Sequence, residues 1–142
     1  MSIRTSVRIA ALLSLATLAA VPAAFAADEA PHETITPAFA YALPNVPGKT
    51  ITALVVDYAP GGKSVPHRHG QAFVVGYVLA GAIRSQVNNG ESRVYHAGET
   101  WTEAPGVHHT ISENASDTEP AKLLAIFIAD TKEKNLVNFD KK

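Results

Sequence analysis

"SVPHRHGQAFVVGYVLAGAIRSQV", residues Ser64 to Val87, runs from an H-x-H pair into an apolar segment and turns at a glycine. Side chains alternate along a strand, so His67 and His69 face one way and Arg68 the other. "FVVGYVLA" (Phe73 to Ala80) reads as a β-strand, Gly81 as a turn and "AIRSQV" as the returning strand. The fold follows from whether this rhythm continues on both sides.

It does. Upstream, "TITALVVDY" (Thr50 to Tyr58) ends at "APGG". Downstream, "NNG" at Asn88 to Gly90 is a hairpin signal, because Asn and Gly tolerate positive φ. "SRVYH" turns at "AGE", "TWTE" turns at "APG", and "HHTISEN" runs into a polar loop. "AKLLAIFIA" (Ala121 to Ala129) closes the series before a charged tail from Thr131. Many short strands with Gly, Pro and Asn turns and no useful helical period predict an all-β sandwich or barrel. Before Thr50 the chain carries Pro31, Pro37, Pro44 and Pro47, too many for a helix, while Ala38 to Leu43 can pair as an edge strand. Phe73–Ala80 and Leu123–Ala129 are apolar on both faces. One face fills the barrel; the other needs cover from the second sheet's edges or from another subunit, and the small size of the domain favours a homodimer.

The first 26 residues stand apart from this pattern. Arg4 and Arg8 precede an apolar run from Ile9 to Val21, and Ala24-Phe25-Ala26 gives an A-x-A exit. That is the layout of a secretory signal peptide cleaved after Ala26. The run falls short of the roughly 20 apolar residues that a spanning helix needs. The expected product is a periplasmic domain of 116 residues without stable membrane insertion, divided into an N-terminal arm (27–46), a barrel (47–131) and a polar tail (132–142). Its charge is −3, from ten Lys and Arg against 13 Asp and Glu, which gives no footprint for nucleic acid. The sequence has no cysteine, so disulfides are excluded and any metal ligands are His, carboxylate or amide.

Six histidines are available. His67 and His69 share a face and can converge on one ion, although two exposed histidines on a polar edge would look the same. His108 and His109 occupy successive strand positions in "APGVHHT", so only one of them faces inward. Three imidazoles from two strands make a partial coordination shell with room for water or substrate. His32 and His96 lie in Pro-rich and turn contexts and read as surface residues.

These residues resemble the cupin family, small jelly-roll β-barrels. Its first motif is Gly, five residues, HxH, three or four residues, Glu, six residues, Gly. Here Gly61, His67, His69 and Gly81 hold the corresponding places. Its second motif is Gly, five residues, P-x-G, two residues, His, three residues, Asn; Gly98, Gly106 and His109 fit it. The resemblance is close over Gly61 to Asn114. It implies a single-domain cupin-type jelly-roll barrel, with His67, His69 and His109 as metal ligands and His108 on the outer face. Three departures stand out. Val74 holds the glutamate's place, Ala104 the proline's with Pro105 one later, and Glu113 the asparagine's with Asn114 next.

Without the glutamate, three neutral imidazoles leave the full +2 on the ion. That favours Fe²⁺, Zn²⁺, Ni²⁺ or Cu²⁺ over Mn²⁺ and makes the ion a stronger Lewis acid. Thiol dioxygenases, which this pattern resembles, work with three histidines and no glutamate. Gln71 is a candidate fourth ligand, against a loop residue bonded to backbone. Gln86 and Trp101 are candidate pocket residues, against a strand residue and a core aromatic. Glu103 can orient a histidine from beyond the ligands, although an exposed carboxylate before a turn is the commoner case. Two functions stay open: an exported metal-dependent dioxygenase or oxidoreductase of a small molecule, and a non-catalytic module that captures a metal or small ligand.

Overall fold

The computed structural model describes residues 32–141, so the proposed signal peptide lies outside the described residues. The described chain is all β. Its strands are β1 (Glu33–Ala42), β2 (Lys49–Tyr58), β3 (His67–Arg68), β4 (Phe73–Ala80) and β5 (Ala82–Val87). They continue with β6 (Arg93–His96), β7 (Thr100–Glu103), β8 (His108–Asn114), β9 (Ala121–Asp130) and β10 (Asn138–Phe139).

Two antiparallel five-stranded sheets form a jelly roll, ordered β1-β2-β9-β4-β7 and β10-β3-β8-β5-β6. Alternation decides what each strand buries. In β4, Val74, Gly76 and Val78 point inside, while Phe73, Tyr77 and Leu79 are 38–41% exposed. This is the outer apolar face for which the sequence predicts a cover. Between the sheets the core forms two clusters, one around Val56, Tyr58, Val78, Ile83, Trp101 and Leu123, the other around Ala72, Val74, Phe127 and Ala129. The β5–β6 turn uses Asn88 at φ 52°, as its "NNG" sequence requires.

Gly76 faces Trp101 across the β4–β7 pair. A Cβ there would stand 2.5 Å from the indole ring. Gly76→Ala is therefore expected to destabilise the domain by about 1–3 kcal/mol through overpacking, read as a lower urea midpoint. An unchanged midpoint would mean that the indole can move aside.

The segment expected to be only a polar tail does more. It folds back, β10 pairs with β3, and Asp140 accepts from His108 at 2.8 Å. Its charged residues conceal a short apolar pattern: Val137 and Phe139 line the interior pocket, and Leu136 packs against the cluster around Phe127.

Candidate metal centre

The interior pocket begins with β3. His67 is the cross-strand partner of His109 on β8 and of Phe139 on β10. His69 follows on the same face, because Arg68 takes the outer one. All three histidines are 3–6% exposed. Among the described residues they form a group whose candidate ligand atoms lie within 4.8 Å of one another. His108 points outward to Asp140.

Each ring is fixed by one nitrogen, leaving the other for the pocket. His67 Nδ1 bonds the Val65 carbonyl at 2.7 Å, and His69 Nδ1 the Leu136 carbonyl at 2.6 Å. His109 bonds Ser85 Oγ through Nε2 at 2.9 Å. A partner on the far nitrogen sets the tautomer and aim of a metal-binding imidazole. Burial holds all three rings below the ordinary histidine range, His69 at about 4 and His109 at about 3. They are neutral near pH 7, the state that ligates a cation.

Glu103 completes the cluster. It is 2% exposed, the reverse of the exposed residue that its place before a turn suggests. Oε1 lies 3.2 Å from His109 Nδ1 and accepts from Trp101 Nε1 at 3.1 Å, while Oε2 stands 3.5 Å from His69 Nε2. Burial raises its carboxyl to about 7, opposed by the indole N–H. Since that lies above the values for His69 and His109, the contacts between pH 4 and 7 are neutral ones, with the proton on the carboxyl, rather than ion pairs. Oε2 is buried with no hydrogen-bond partner among the described residues. Three neutral imidazoles, two of them beside a buried carboxyl group with an unsatisfied oxygen, suit a divalent ion.

The remaining candidates divide. Trp101 lines the pocket; Gln71 and Gln86 do not. Gly70, at φ 56°, turns the chain out of β3 and leaves Gln71 exposed. The Gln86 amide bonds the Gly90 carbonyl and Thr110, because alternation in β5 sends Ser85 inward instead. Ser85 was legible, since Gln86 shares its face with Arg84. Tyr58 is a further pocket residue that the sequence reading did not single out. Its hydroxyl bonds Ser64 and Ser112, Ser64 donates to Glu33, and burial pushes the phenol up to about 12. The walls are largely apolar, among them Leu54, Val56 and Phe127. They enclose about 40 Å³, room for an ion with one or two water-sized groups.

A family model described as "Cupin domain" matches residues 54–127, just over half of the chain. No curated protein sequence matches. Among solved structures, an oxalate oxidase is 25% identical with a TM-score of 0.59, covering 76% of this chain and 55% of its own. A recombinant oxalate oxidase in complex with glycolate is 27% identical with a TM-score of 0.55, covering 68% and 50%. KdgF from Halomonas sp. is 20% identical with a TM-score of 0.54, covering 75% and 86%, a likeness of fold alone. The chain spans about half the length of the oxalate oxidases.

Proposed function

The chain belongs to the cupin-domain family, and from that premise we propose that it is an exported metal-dependent oxidoreductase or dioxygenase of a small oxygen-bearing molecule, with His67, His69 and His109 holding one divalent ion. The observation that carries this reading is the buried trio itself, with each ring pinned on one nitrogen and open on the other. When bound, such an ion supplies Lewis acidity and, if it is iron, manganese or copper, one-electron chemistry.

The chain's own groups do the rest. Val65, Leu136 and Ser85 orient the rings. Leu54, Val56 and Phe127 exclude water and strengthen electrostatic interactions inside the pocket. Tyr58 keeps its proton near neutral pH, so it offers a hydroxyl to hold substrate and not a base. Beside an ion the pocket leaves room for one or two water-sized groups, which restricts it to the smallest substrates. The likeness to oxalate oxidases, one of them holding glycolate, supports a small carboxylic acid as the class.

The test is oxygen uptake by protein loaded in turn with Fe²⁺, Mn²⁺, Cu²⁺ or Zn²⁺ and offered oxalate, glycolate, thiols, phenols and diketones. Turnover that depends on the metal and disappears in His69→Ala is expected. Saturable thermal stabilisation by a ligand without any product would replace this reading with the non-catalytic binding one.

A further inference from the structure

The carboxylate missing from β4 has a counterpart one strand away. We propose that Glu103, on β7, is the fourth and anionic ligand of this centre, taking the place that Val74 leaves without a charge. The inference rests on the three-histidine reading above and adds a ligand to it.

Register makes the exchange possible. Val74 and Glu103 are directly opposite in the antiparallel β4–β7 pair, and both side chains are 2% exposed in the same interior. Cross-strand partners have Cβ atoms about 4.5–5.5 Å apart, so a carboxylate from either position reaches the same region.

Distances point to ligation. Two ligand atoms at about 2.1 Å from one ion, roughly 90–110° apart, lie about 3.0–3.4 Å from each other. The Glu103 oxygens stand 3.2 Å from His109 Nδ1 and 3.5 Å from His69 Nε2. Those are the two nitrogens left open by the bonds to Ser85 and Leu136.

An orienting role is the competing explanation, and it fits poorly. A group that orients a ligating histidine bonds the ring nitrogen remote from the ion. Val65, Leu136 and Ser85 already fill all three of those places. Glu103 instead faces the metal side, with Oε2 lacking a hydrogen-bond partner among the described residues. Trp101 donates to Oε1 and fixes the carboxylate plane. The chemical consequence reverses the metal preference expected from Val74. With one carboxylate in the set the centre again suits oxygen-preferring Mn²⁺ alongside Fe²⁺.

The probes are Mn²⁺ and Co²⁺ alone, whose binding is read by calorimetry and by the visible absorption of Co²⁺, which follows coordination number. E103Q is expected to weaken Mn²⁺ binding by more than about a hundredfold, beyond the roughly 10–100-fold that a lost orienting group costs, and to alter the Co²⁺ spectrum. The swap V74E/E103V should recover most of the Mn²⁺ affinity. Unchanged affinities and spectrum in E103Q, with binding lost in His69→Ala, would overturn the carboxylate ligand and keep the histidine site. Unchanged binding in both variants would overturn both readings. Should E103Q fail to fold, a crystal structure of the Mn²⁺-loaded wild-type protein decides. A Glu103 oxygen at about 2.0–2.2 Å from the ion is expected, and no Glu103 oxygen in bonding contact overturns the proposal.

Discussion

His109→Ala is expected to reduce Zn²⁺ or Fe²⁺ affinity by at least about a hundredfold, while His108→Ala next to it leaves affinity unchanged within error. The two residues are adjacent in sequence and opposite in chemistry. His109 is 3% exposed, pairs with His67 across β3–β8 and is held by Ser85. His108 faces outward and bonds Asp140. Losing His109 removes a ligand outright, a larger change than the roughly 10–100-fold cost of losing a group that only orients one. Ser85→Ala should fall between the two variants, because it frees the ring without deleting it. Calorimetric titration of all three proteins decides the matter. Equal losses in His108→Ala and His109→Ala would mean that the ion binds elsewhere.

Acid should destabilise the metal-free protein. Burial lowers His69 from 6.5 to about 4 and His109 from 6.5 to about 3. A group whose folded value is depressed contributes stability that is complete above its unfolded value and lost as pH falls towards the folded one. Glu103 acts in the opposite sense, since its folded value of about 7 exceeds 4.5. Its contribution is complete below pH 4.5 and lost as pH rises through 7. Between pH 6.5 and 4.5 the two histidines together lose about 4 kcal/mol and Glu103 returns about 2, a net loss of about 2 kcal/mol. His67, also lowered by burial, adds to the loss. The melting temperature of the apoprotein should drop by about 10 °C over that range. A flat or rising profile would mean that the rings are hydrated or charged in the native state.

Much of this was legible in the sequence, for reasons that also mark where legibility ends. Alternation alone places His67 and His69 together, because it is a local rule. Choosing His109 over His108 needed the register of the second motif; alternation says only that one of the two faces inward. Glu103 looked like an exposed residue before a turn, because nothing local says that β7 lies against β4. Its burial depends on a pairing between segments about 30 positions apart. The C-terminal segment misled for a related reason. Lys132, Glu133 and Lys134 dominate its composition, while the few apolar residues behind them close the pocket. Gln86 was one residue out of phase. Its partner on the outer face, Arg84, carried the information that Ser85 points inside.

Trp101 is the single tryptophan of the chain, and its ring N–H is bonded to the carboxylate that faces the histidines. Its emission is thus wired to the centre without any label. An ion held in the proposed centre would change the polarity around that indole and, if paramagnetic, would quench it. The molecule would then carry its own optical gauge of occupancy, usable at concentrations too dilute for calorimetry.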